Sequence, residues 1–144
     1  MTGLDTNVLV RYLVEDDGKQ AHKASACIRA ITASEKSCFI SCIVLCELVW
    51  VLESAYDYEK REISDVLEKI LITKQFEIEN KDVVRQAIHD YKAGDGDVAD
   101  YLIGRFNQDK GCDMTYMLDH ALKGCPLFSA LRSCKLGNDS LLEP

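Results

Sequence analysis

The sequence predicts a single α/β domain of three layers, α/β/α, with a mainly parallel central sheet. Two observations predict it. Short β-prone segments alternate along the chain with longer stretches of helical periodicity, and strands separated by helices run parallel with helices on both sheet faces. Nothing in the chain divides it: there is no linker, internal repeat or low-complexity run within its 144 residues.

Taken in order, residues 2–5 read as a short strand, after which Thr6 or Asn7 can N-cap a helix through Leu13. Residues 19–32, KQAHKASACIRAIT, repeat Ala21, Ala24, Cys27, Ile28 and Ile31 at helical spacing. SCFIS, 37–41, is a strand of small and β-prone residues. CIVLCELVWVLESAY, 42–56, is periodic and almost wholly apolar, as a core helix should be. An amphipathic helix over 58–72 has its apolar face at Ile63, Val66, Leu67, Ile70 and Leu71. FEIEN, 76–80, alternates as a strand, and 82–93 returns to helix. Gly94 and Gly96 break the chain before a helix over 97–111 that stops at Gly111, in the manner of a C′ glycine. DMTYML, 113–118, is a strand ending at Asp119, HALKG a single helical turn, and LFSAL, 127–131, a last strand. The domain is therefore expected to span 1–131. The polar, turn-rich tail 132–144 is expected to be loosely held.

The bulk numbers suit such a domain. A chain of 144 residues is long enough to bury roughly two-thirds of its unfolded surface. With 47% hydrophobic and 28% charged residues it is of ordinary globular composition, which argues against disorder. Residues 1–14 lack the basic start of a secretion signal, and no run approaches the roughly 18 apolar residues of a membrane span. Seven cysteines form no CxxC pair, so zinc-site spacing is absent and a reducing cytoplasm is the expected setting. Cys42 and Cys46, four apart in the apolar helix, are expected to be buried thiols. The net charge of −7 argues against a nucleic-acid binder that works through a basic face alone. Contact with phosphates would need bound metal ions or a local basic stretch, such as Arg11, Lys19, His22, Lys23 and Arg29 in the first two helices. A solvated helical face also explains that stretch.

Carboxylates stand in conspicuous places. Ligands of an open parallel sheet gather beyond the carboxyl ends of its strands. Asp5 ends the first strand and Asp119 a late one, although either could simply cap the helix or turn behind it. Glu47 is expected to share an apolar stripe with Ile43, Val44, Leu48, Val51 and Ala55, where an unpaired carboxylate would cost several kcal/mol. A cation, a metal or a structural ion pair would relieve it. Asp97 suits the N-cap of the late helix and Asp100 its N3 position, with Asp100 also on the side of Ile103 and Gly104.

These segments together, LDTNVLVRYL, SCIVLCELVWVL, GDVADYLIG and TYMLDHALKG, resemble the PIN-domain ribonucleases, and among them the VapC-type toxins of bacterial toxin–antitoxin pairs. The likeness runs in order over residues 1 to about 131 and implies a PIN-like fold. It places the family's acidic cluster on Asp5, Glu47, Asp100 and Asp119, with Asp97 as an accessory. Thr6 and Asn7 match the polar pair after the first acid, and Ser41 the hydroxyl residue leading into the glutamate helix. One departure is Met117, where the family usually has Thr or Ser two residues before the last acid.

Converging carboxylates repel one another, and Mg²⁺ or Mn²⁺ is the natural relief because hard cations prefer oxygen ligands. The resemblance thus implies a metal-dependent endoribonuclease that hydrolyses RNA phosphodiesters with metal-activated water. Asp5, Glu47 and Asp100 would be nearest the ion, Asp119 on a second or weaker one, and Thr6 or Asn7 would orient a ligand. His120 has no expected catalytic role. The resemblance also implies a homodimer silenced by a cognate antitoxin, with docking surface around Trp50, Leu52, Ile70 and Leu71. Two alternatives stand beside it: a PIN-fold module that binds RNA or a partner but cleaves weakly, and a small-molecule metal-dependent phosphohydrolase with a nucleophilic Asp5. The second usually requires another Asp two residues on, where this chain has Asn7.

Overall fold

A computed structural model describes residues 1–14 and 18–131 of the chain. The expected polar tail, 132–144, lies outside them.

The elements follow the alternation read from the sequence: β1 (Thr2–Gly3), α1 (Thr6–Val14), α2 (Lys19–Ala33), β2 (Cys38–Ile40), α3 (Cys42–Tyr56), α4 (Lys60–Ile72), β3 (Phe76–Ile78), α5 (Lys81–Ala93), α6 (Val98–Asp109), β4 (Thr115–Met117), a 3₁₀ turn at His120–Leu122 and β5 (Phe128–Ala130). The strands are shorter than the β-prone segments that contain them. Thr6 begins α1 rather than capping it from outside.

All strand pairs are parallel. β1, β2 and β3 form a three-stranded sheet in that order, with Thr2 opposite Cys38 and Cys38 opposite Phe76. β4 and β5 pair separately, Thr115 opposite Phe128. α1 packs on α2 and α3, while α5 packs on α4, α6 and β3. The result is the three-layer α/β/α arrangement, and one core runs through it. Leu9, Ile40, Leu45, Leu48, Leu52, Ile63, Leu67, Ile70 and Ile88 are fully enclosed there.

Local chemistry sets the element ends. Ser41 caps α3, its Oγ accepting the Val44 N–H at 3.2 Å. Gly111 takes a φ of +98° just past α6, the left-handed C′ position expected from the sequence. At the other end of α6, the buried Tyr101 hydroxyl accepts the Gly96 N–H at 3.0 Å and closes the α5–α6 connection over itself. Arg105 then ties α6 to α5 through a two-pronged bond to Asp90, at 2.6 and 2.9 Å. Among the described residues, no helix is long and apolar enough to cross a membrane.

Candidate functional site

Asp5 stands where β1 gives way to α1. Leu4 is still sheet-bonded, its N–H donating to the Phe39 carbonyl at 3.0 Å, and its side chain is in the core. One residue later the Asp5 carbonyl accepts the first helical bond, from Leu9 N–H at 3.2 Å, and Asp5 Oδ1 accepts the Thr6 N–H at 2.8 Å. The strand-to-helix switch thus turns the carboxylate outward immediately after a buried leucine.

Thr6 is the pivot of the arrangement. It is one of two buried polar side chains among the described residues, and its hydroxyl donates to Glu47 Oε1 at 2.9 Å. One threonine therefore holds Asp5 with its backbone and Glu47 with its side chain, joining the start of α1 to the middle of α3. A buried hydroxyl needs a partner, and the glutamate is that partner.

Glu47 itself corrects an expectation. It is exposed, as are Ile43, at 73%, and Ala55, so the proposed buried stripe does not exist. The inward face of α3 is Val44, Leu45, Leu48, Val49 and Leu52. Glu47 lies on the outward face between Ile43 and Trp50, the latter 70% exposed. Because both faces of this helix carry apolar residues, its composition does not reveal which of them the core takes. The Glu47 carboxylate is held in place by the Thr6 hydroxyl. The docking surface expected around Trp50, Leu52, Ile70 and Leu71 shrinks likewise, since all but Trp50 are buried.

Asp97 and Asp100 form a capping box: Asp100 Oδ2 accepts the Asp97 N–H at 3.0 Å, and the Asp97 carboxylate takes the Asp100 N–H in return. Asp100 is half-buried beside exposed Ile103 and buried Gly104, so the inward facing expected for it is partial. α6 packs against α3, which brings this acidic helix start to the flank of the glutamate helix. Asp119 is different. It is exposed, its Oδ1 accepts the Ala121 N–H at 2.9 Å, and it shares a cleft of about 280 Å³ with Met117, His120 and Lys123. No hydrogen bond joins it to Asp5, Glu47 or Asp100 among the described residues. Met117 is half-buried and packs on the core.

Asn7 is exposed and opens a cleft of about 490 Å³ between α1 and α2, with Arg11, Gln20 and Lys23 on its walls. Of the expected basic stretch, Lys19, His22 and Arg29 do not line it. Reading the sequence missed Glu79, whose Oε1 accepts the Cys42 N–H at 2.9 Å at the start of α3. Burial, together with the nearby Glu79 charge, pushes the Cys42 thiol up to about 12, so it stays protonated. Cys42 and Cys46 are half-buried rather than fully enclosed. The sequence reading also gave no role to Glu53, whose carboxyl is pushed above its ordinary value by burial and by Asp97.

The family model of the PIN domain matches residues 4–112. The chain belongs to the PIN-domain family. A curated VapC ribonuclease of Aquifex aeolicus (strain VF5) is 31% identical over 99 residues, covering 69% of this chain and 73% of the relative. No solved structure matches the chain significantly. The PIN match takes in Asp5, Glu47, Asp97 and Asp100 and ends before Asp119.

The donors on this PIN fold suit a hard cation, being carboxylate oxygens with no sulfur or imidazole among them. Thr6 brings two of them, Asp5 and Glu47, onto one hydrogen-bonded unit. Among the described residues no group of three or more Asp, Glu, His or Cys side chains gathers tightly enough for an all-protein cage. Mg²⁺ does not call for one, since it is commonly held by one or two carboxylates and completes its shell with water and phosphate oxygens.

Proposed function

We propose that this chain is a divalent-metal-dependent endoribonuclease and the toxin of a toxin–antitoxin pair. The observation that carries the reading is the Thr6 pivot, which holds Asp5 and Glu47 together at the carboxyl end of β1 in a chain with a VapC ribonuclease among its relatives. Asp5 and Glu47 would hold Mg²⁺ or Mn²⁺, with Asp100, and Asp97 as an accessory, approaching from the start of α6. When bound, such an ion stabilises the charge that develops on the phosphate and makes a water easier to deprotonate.

The protein's own residues do the positioning. Thr6 fixes the Glu47 carboxylate and, through its N–H, the Asp5 carboxylate, so neither must be ordered when RNA arrives. Ser41 holds the start of α3 and hence the height of Glu47. Arg11 and Lys23 flank Asn7 and supply positive charge for RNA phosphates on an otherwise acidic protein. Asp119 acts last and least, as a ligand to a second ion or to substrate. A cognate antitoxin would silence the site by presenting a basic side chain to the acids. The active form is a homodimer in the cytoplasm.

A second reading, a PIN-fold module that binds RNA or a partner but cleaves weakly, draws on Asp119, which is exposed and has Met117 two residues before it. One experiment separates the two. Antitoxin-free protein and its Asp100→Ala variant are incubated with a mixed RNA panel in Mg²⁺, in Mn²⁺ and in EDTA. The nuclease reading expects metal-dependent cleavage that the variant lacks. RNA binding without metal-stimulated turnover would favour the module.

A further inference from the structure

Trp50 is the sole tryptophan of the chain, and it stands 70% exposed on α3. It follows Glu47 by three residues, so it lies on the same outward face, about 4.5 Å further along the axis. A large aromatic left in water beside a candidate catalytic acid calls for an explanation that core packing does not supply. Next to it, α3 and α6 leave a small cleft of about 120 Å³ lined by Cys46, Val49, Trp50, Val98 and Ala99, with Glu53 and Asp97 also on its walls.

The chemistry of this cleft is specific. It has an indole face and an apolar floor, and its charged polar groups are carboxylates, which when ionised accept hydrogen bonds and donate none. One flat, nucleobase-sized group fits such a volume. A protein lid would have to bury Glu53 and Asp97, with Glu47 beside them, at a cost of several kcal/mol unless it brought cations to each. A nucleobase asks less. Its faces stack on the indole, its amino hydrogens go to the carboxylates, and its phosphates remain in solvent.

We infer that Trp50, Glu53 and Asp97 form a nucleobase subsite one helical turn from Glu47, selective for bases that present an exocyclic amino group. Cytosine, adenine and guanine each bring an amino group to these two carboxylates, whereas uracil offers them only its N3–H, flanked by carbonyl oxygens. The subsite rests on the ribonuclease reading and deepens it, because it places base selection on the glutamate helix itself.

The single tryptophan makes the test direct. Asp100→Ala protein, expected to leave RNA intact, is titrated with short oligo(C), oligo(A) and oligo(U), following tryptophan emission and the anisotropy of a labelled oligo(C) in parallel. Saturable quenching is expected, at lower concentrations of oligo(C) and oligo(A) than of oligo(U). Adding Trp50→Ala weakens oligo(C) binding roughly tenfold, within the range for one base stacked on one aromatic ring, and Trp50→Phe retains most of the affinity. Glu53→Gln, which gains a donor, erases the preference for C over U. Binding by anisotropy with no change in emission, and with Trp50→Ala equal to its parent, overturns the subsite and leaves the ribonuclease reading standing. An emission shift that follows protein concentration without RNA also overturns it, because a second copy then covers Trp50. If no oligonucleotide binds and the unmutated protein cleaves none, both fall together.

Discussion

Asp5 and Asp119 each stand between a short parallel strand and a helical turn, and on paper they are equivalent. Their surroundings are not. Asp5 adjoins buried Leu4 and Thr6, and through Thr6 it is linked to Glu47 on another element. Asp119 is exposed, as Asp5 is, but among the described residues its side chain is bonded to the turn it caps and to no other element, beyond the end of the PIN match. The difference teaches that an acid's position in a motif does not tell how firmly it is held. A carboxylate fixed by a buried partner is preorganised, while one that caps a surface turn can be withdrawn at little cost.

The largest effect should separate these two acids directly. Asp5→Asn is expected to lower metal-dependent RNA cleavage by more than about a hundredfold, whereas Asp119→Asn lowers it by about tenfold or less. Equal losses, measured as initial rates on one substrate, would break the comparison. Thr6 tests the reason for the difference. Thr6→Val removes the hydroxyl that holds Glu47 and should cost roughly ten- to a hundredfold in activity and about 1 kcal/mol in stability. Thr6→Ser keeps the donor and should restore most of both.

Smaller effects concern the start of α6. Tyr101→Phe deletes the acceptor of a buried N–H, that of Gly96, and is expected to cost about 1–2 kcal/mol in denaturant unfolding. Asp119→Asn, whose side chain can still cap, should leave the same midpoint within about 0.5 kcal/mol. The smallest effect is a pH dependence at Glu53. Burial and Asp97 raise its carboxyl above the ordinary 4.5, so the folded protein binds this proton more tightly than the unfolded chain. Stability is therefore lost as pH rises from 4.5 through the raised value, and the deficit is complete above it. Glu53→Gln should melt slightly higher than its parent at neutral pH and equally at pH below 4.5. An advantage that persists in acid would contradict the cause assigned here.

Much of this protein was legible in its sequence, because much of it is local. Helical periodicity placed α2 and α3 to within a residue, Gly111 ended α6 where a left-handed glycine must, and Ile63, Leu67, Ile70 and Leu71 face the core as their spacing demands. Asp5 and Asp119 stand just after strands and Asp97 and Asp100 at a helix start, as expected, since these are local events. Tertiary structure decided the rest. It turned Glu47 to the surface, because α3 is apolar on both faces and only packing against its neighbours chooses between them. It buried Thr6 and joined it to a glutamate 41 residues away, a bond that no local pattern encodes. It left Asp119 outside that unit and Trp50 in solvent. Those outcomes depend on which surfaces meet across the fold, and periodicity within one element carries no information about its partners.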